Sequence, residues 1–129
     1  MQLCVWEEAW RAMWDDARAR APEEAVGLLV GRRGCAEAAW PLANASPHPL
    51  VHYFVAPGEL LAALRHADAE GLEVCALYHS HPVGPPRPSE RDRAEANWRV
   101  PYVILGLPEG RARAFLLPER DEVEIHVEP

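Results

Sequence analysis

The chain reads as an α/β protein, a mixed β-sheet flanked by helices in a single domain over residues 1–129. Three observations lead there. Apolar residues recur at helical spacing in two long stretches and cluster or alternate at strand length in several others. The two kinds of stretch interleave without repeats, low-complexity tracts or linkers, which stacks helices on one sheet. A chain of 129 residues buries roughly two-thirds of its unfolded surface, enough for a core without staples.

Leu3 and Val5 open a short strand. Trp6, Trp10, Met13, Trp14, Ala17 and Ala21 then recur every three or four residues, predicting an amphipathic helix from Glu7 to Ala21 that Pro22 stops. Its tryptophan stripe suits the core or an oligomer contact, so a homodimer is one arrangement left open. "EAVGLLVG" is a short buried strand bounded by Gly31, "CAEAAWPLAN" a second leaving an Arg-Arg-Gly turn, and "HYFV" a third. "PGELLAALRHADAEG" is a helix with Leu60, Leu61, Leu64 and Ala67 on one side and Gly71 as its stop. "LEVCALYHSH" is a central strand, "SERDRAEANW" a short helix from Ser89, and "YVILGL", "ARAFLL" and "EVEIHV" are the closing strands.

Composition excludes several functions. A hydrophobic fraction of 49% with 26% charged residues is ordinary for a soluble domain. No apolar run approaches the roughly 20 residues of a membrane span. "MQLCVWEEAW" has no basic leader and carries Glu7 and Glu8 early, so the cytoplasm is the expected compartment. A net charge of −7 opposes an electrostatic hold on nucleic acid. All 13 basic residues are arginine, which fits a GC-rich, heat-adapted genome. Cys4, Cys35 and Cys75 form no C-x-x-C pair, and their odd number makes a poor disulfide framework. They are expected as buried, inert thiols, and a cysteine-based zinc site is excluded.

The chemistry concentrates in "YHSHPVGPPRPSERD", Tyr78 to Asp92. Side chains alternate faces along a strand, so His79 and His81 point together and Ser80, their spacer, points away. Two imidazoles at a strand end can supply two ligands to Zn²⁺; a catalytic ion also needs a third ligand and an open position. Asp92 is the nearest candidate, and Pro82, Pro85, Pro86 and Pro88 stiffen the loop that returns the chain. Taken alone, Ser89 and Asp92 form an S-x-x-D capping box at a helix start. The two readings coexist if Asp92 faces the histidines from the first turn. Other H-x-H chemistries fit less well. Val83 stands where a metallo-β-lactamase motif has Asp, an amidohydrolase barrel needs roughly 250 residues, and the H-x-E/P-C-x-x-C and H-E-x-x-H signatures are missing.

The combined pattern resembles the JAMM (JAB/MPN) metalloprotease family: a Glu on an early strand, then H-x-H, seven residues, S-x-x-D. "HSHPVGPPRPSERD" matches in spacing, and "PEEAVGLLVG" resembles the family's P-x-E-x-x-G-L-L-x-G stretch. Val26 departs from the Cys that bacterial members often place before that glycine, which touches nothing catalytic. The resemblance implies a sheet sandwich like that of cytidine deaminases. It implies one zinc ion on His79, His81 and Asp92 with a water as fourth ligand, Glu24 as general base, and Ser89 stabilising the oxyanion. Glu23 is then a solvated neighbour. It further implies cleavage after the Gly-Gly tail of a ubiquitin-like sulfur-carrier protein, with no nucleic acid or membrane partner. A non-catalytic MPN scaffold and a hydrolase of small amides are the alternatives. His48, His52, His66 and His126 lie outside the motif and are expected as surface or packed residues, and Trp98 as core or the floor of a substrate groove.

Overall fold

Alternation along the strands sorts the apolar residues into two layers. In the computed structural model, which describes residues 1–129, the order is β1 (Gln2–Trp6), α1 (Glu7–Arg20), β2 (Val26–Arg32), β3 (Cys35–Leu42) and α2 (Pro57–Ala69). Then come β4 (Glu73–His81), α3 (Glu90–Glu95), β5 (Tyr102–Gly106), β6 (Arg111–Leu116) and β7 (Asp121–Glu128). The strands lie side by side as β1-β3-β2-β4-β5-β6-β7. Pairs β1–β3, β4–β5 and β1–β7 are parallel and the rest antiparallel, so the sheet is mixed. The β1–β7 ladder closes it into a barrel, a closure the sequence did not reveal.

On one face, Met13, Trp14 and Ala17 of α1 pack against Leu29, Tyr78 and Val103. The tryptophan stripe therefore mainly serves the core, although Trp6 is 46% exposed. On the other face, Val26, Leu28, Leu77 and Ile104 pack with Leu60 and Ala63 of α2 and with Trp98. Trp98 packs half-buried against this core and also lines a cavity with Tyr53, Leu60 and Tyr102. Burial of this kind contributes about 25 cal/mol per Å² of apolar area removed from water.

Three expectations are corrected. Residues 52–55 form no strand. Phe54 N–H donates to Asn44 Oδ1, and its carbonyl accepts from Ala45 N–H at 2.7 Å, so these groups are spent inside the connection from 43 to 56. Helix α3 stops at Glu95 because Asn97 and Trp98 N–H donate to Tyr102 Oη instead of to helix carbonyls. Cys4 and Cys35, expected as thiols, are joined in a disulfide. They are register partners on β1 and β3, with Cα atoms 4.6 Å apart, a pairing fixed by long-range strand order. Cys75 remains a thiol, and burial pushes its pKa up to about 11, so it carries little thiolate at neutral pH.

One close approach positions the central strand. A Cβ on Gly27 of β2 would lie 2.4 Å from the ring and hydroxyl of Tyr78 on β4. That ring cannot yield cheaply: Tyr78 is fully buried and donates to Asp16 Oδ2 at 2.7 Å, which also accepts from Arg20 at 2.8 Å. Gly27→Ala is expected to destabilise by about 1–3 kcal/mol through overpacking. A urea titration in which its midpoint matches wild type would contradict this contact.

Candidate metal centre

Strand β4 lies between β2 and β5, so His79 has Val26 and Ile104 as register partners and its imidazole is completely buried. His81, two residues on, projects from the same face at the strand end. Its carbonyl accepts from Leu107 N–H at 3.1 Å. Beyond it the proline-rich loop folds across Gly106, where a Cβ would stand 2.6 Å from Pro86 Cδ. The missing side chain lets the loop pass close to β5 and return the chain to the site. Ser89 then caps α3. Its Oγ accepts from Asp92 N–H at 3.0 Å, while Asp92 Oδ2 accepts from Ser89 N–H at 2.9 Å. The capping box thereby turns the Asp92 carboxylate, 7% exposed, toward the two imidazoles.

The three polar atoms converge. Nε2 of His79 and Nε2 of His81 lie 3.2 Å apart, and Asp92 Oδ2 stands 3.2 Å and 3.1 Å from them. Zinc–ligand bonds of roughly 2.0–2.2 Å in a tetrahedron put neighbouring ligand atoms about 3.3 Å apart, so this triangle has the size of one tetrahedral face. His81 Nδ1 donates to the Pro85 carbonyl at 2.8 Å, so Nε2 is the ring nitrogen turned inward toward His79 and Asp92. Nδ1 of His79 is buried without a partner, so that ring makes its polar contacts only through Nε2. These residues suit a borderline cation with N/O preference, as zinc is.

Electrostatics follow from burial and from the three groups' proximity. Burial holds His79 below its ordinary pKa and therefore neutral, the state in which imidazole ligates. Burial also draws on His81, but the hydrogen bonds to Asp92 and to the Pro85 carbonyl outweigh it and hold its pKa above the ordinary value. For Asp92, burial works upward, yet the two imidazoles and Ser89 N–H hold the carboxyl well below the usual range.

Glu24 stands two residues before β2, with 7% of its surface exposed, while Glu23 beside it is exposed. A cavity of about 340 Å³ is lined by Glu24, His81, Ser89, Arg87, Leu50 and Val51, so base and hydroxyl candidates open onto one space with a ligand candidate. Burial, with a smaller contribution from Asp92, raises the Glu24 pKa to about 7 against the pull of His81 and Arg91. The segment is fixed to β4 through Ser80: Ala25 N–H donates to Ser80 Oγ at 2.8 Å, and Ser80 N–H to the Ala25 carbonyl at 3.0 Å. Ser80 is thus a latch between the Glu24 segment and the His79/His81 strand, a role hidden by its position as spacer. Ser80→Ala strands a buried N–H and is expected to cost about 1–3 kcal/mol in chemical denaturation; an unchanged midpoint would speak against the latch.

Sequence reasoning also missed a set of residues between 43 and 56. Asn44 Nδ2 donates to the Glu24 carbonyl, His52 bonds Ser46 and Glu95, and the Tyr53 ring lies 4.5 Å from that of His79. His66 pairs with Glu70 and packs on Trp40, and His126 pairs with Glu128, local roles remote from the motif.

Residues 7–117 match the family described as prokaryotic homologs of the JAB domain. A probable TtuB-protein conjugate cleaving protease of Thermus thermophilus is 50% identical over 121 residues, 91% of this chain and 80% of that protein. A desampylase of Haloferax volcanii is 34% identical over 95 residues, covering 72% of this chain and 68% of its own. A solved protein of Desulfitobacterium hafniense superposes with a TM-score of 0.86 at 31% identity, over 97% of this chain and 92% of that one. With residues 7–117 matched and half the aligned positions shared with the Thermus protease, the chain belongs to the prokaryotic JAB (JAMM) family.

Proposed function

We propose that the chain is a zinc-dependent peptidase that hydrolyses the amide or isopeptide bond after the Gly-Gly tail of a ubiquitin-like sulfur-carrier protein. The observation that carries this reading is the meeting of three ligand atoms 3.1–3.2 Å apart, one of them on His81, which shares a cavity with Glu24 and Ser89. The Thermus relative, by its description, cleaves TtuB–protein conjugates, and the same class of substrate is proposed here. The cytoplasm is the proposed compartment; no helix is long and apolar enough to cross a membrane.

In this reading His79, His81 and Asp92 hold one zinc ion. A zinc ion bound there would supply Lewis acidity toward a water, whose pKa it would bring from 15.7 towards about 7, and toward the scissile carbonyl. The Glu24 carboxylate, open to the cavity it shares with His81, would take the water's proton and hand it to the leaving nitrogen. Ser89 Oγ accepts from Asp92 N–H and so keeps its own proton free for the oxygen on which negative charge develops. Leu50, Val51 and the loop from Pro82 to Pro88 line the same cavity, and a glycine tail, having no side chains, can bring its backbone close to such a lining.

Mass spectrometry of a zinc-loaded reaction with a carrier extended beyond Gly-Gly provides the test. The expected product is the carrier ending in Gly-Gly plus the intact extension. Cleavage elsewhere, or none after zinc loading, would overturn the reading.

A further inference from the structure

We propose that Asn44, His52 and Glu95 form a clasp that sets the position of Glu24 relative to Asp92, making them positioning residues for the hydrolysis. The connection from 43 to 56 contains no helix or strand. Long connections of this kind in small domains are commonly functional and need ties of their own. Asn44 supplies four. Its Nδ2 donates to the carbonyls of Glu24 and His52, each at 3.0 Å, and its Oδ1 accepts from Ser46 N–H at 3.0 Å and Phe54 N–H at 3.1 Å. That exhausts an amide's capacity of two donors and two lone pairs. Glu24 is gripped from the other side as well, because its N–H donates to the Pro49 carbonyl at 2.7 Å. Both backbone groups of the base candidate therefore bond to this one connection.

The far end of the connection reaches α3. Ser46 Oγ accepts from His48 N–H at 3.0 Å, so its own proton is available to His52 Nδ1 at 2.8 Å. His52 Nε2–H then donates to Glu95 Oε1 at 2.8 Å. Glu95 is the last residue of α3, one turn beyond Asp92. Between these anchors Tyr53 lies against His79, with ring centroids 4.5 Å apart. A continuous run of hydrogen bonds thus joins the Glu24 carbonyl to the helix that carries the third ligand candidate. Loop packing alone would not require its two ends to meet the two halves of one site.

The inference rests on the proposed hydrolysis for its kinetic readout, and a second readout is independent of substrate. Asn44→Ala and Glu95→Ala are compared with wild type by chelator competition for zinc and by kcat and KM on the extended carrier. Neither residue touches a ligand side chain. Each variant is nevertheless expected to weaken zinc binding by about 3- to 10-fold, less than the roughly 10–100-fold lost with a direct hydrogen-bond partner of a ligand. Each should lower kcat about 10-fold or more while KM stays within about 2-fold, since a misplaced base costs turnover rather than binding. Glu95→Gln retains an oxygen acceptor for His52 and should restore most of both losses. The double variant should lose little more than the worse single one, because the two residues act through one tie. Glu95 is exposed, so its variants keep the test alive if Asn44→Ala fails to fold. Zinc affinity unchanged in Glu95→Ala, or losses that multiply in the double variant, would overturn the clasp. If wild type cleaves no carrier but the zinc affinities shift as stated, the substrate reading fails and the clasp stands.

Discussion

Glu24→Gln is expected to lower kcat by about 10²–10⁴-fold, the span that a positioned general base supplies, while zinc stays bound. The amide keeps the shape of a side chain that is 7% exposed but cannot accept the water's proton. KM should change little, because only the proton transfer is lost. The same variant should be more stable than wild type when both are metal-free at pH 8. Burial raises the folded-state pKa of Glu24 from about 4.5 to about 7, so between these values the folded chain keeps a proton that the unfolded chain has released. Stability therefore falls as pH rises through that window, by on the order of 3 kcal/mol when complete. Glutamine carries no charge to desolvate and escapes the loss. Urea titrations of chelated protein at pH 4.5 and pH 8 check the sign. Equal stability of the two proteins at pH 8 would mean that burial does not load the carboxylate as described.

Asp92→Ala has the second large effect, because one side chain serves two structures. Its Oδ2 stands 3.2 Å and 3.1 Å from the imidazole nitrogens and also accepts from Ser89 N–H at 2.9 Å. Losing it removes a ligand and half of the capping box together. Zinc affinity should fall by more than the roughly 10–100-fold that an outer-shell loss causes, and activity should go with it. Ser89 Oγ still accepts from the backbone N–H of residue 92, so only the acceptor for Ser89 N–H is lost, which destabilises the start of α3 by about 1 kcal/mol. Asp92→Asn separates the two. Its amide oxygen can still accept from Ser89 N–H, so the helix start should persist while the neutral ligand binds zinc more weakly. Chelator competition and urea midpoints on the pair read the two losses apart; zinc affinity equal to wild type in Asp92→Ala would remove this residue from the site.

Much of this site is local, and that is why the sequence reveals it. His79 and His81 share a face because strands alternate, and Ser89 and Asp92 announce a helix start through spacing alone. Choosing Glu24 over Glu23 needed the family pattern; the structure buries the first and exposes the second. What stayed hidden is long-range. Ser80 bonds Ala25 across fifty-five positions, and nothing near Ser80 signals a partner. The Cys4–Cys35 disulfide depends on β1 lying beside β3, an order that no spacing of cysteines encodes. Residues 52–55 have the apolar content of a strand, but Asn44 and Ala45 use the backbone groups of Phe54. Helix α3 looked longer because the Tyr102 hydroxyl that ends it comes from the next strand.

Elemental analysis of the purified protein reads directly whether His79, His81 and Asp92 hold a zinc ion. One zinc per chain is expected in wild type and in Glu24→Gln, and none in a variant carrying both His79→Ala and His81→Ala. Zinc-free wild type after incubation with the ion, or full zinc in the double-histidine variant, would contradict it.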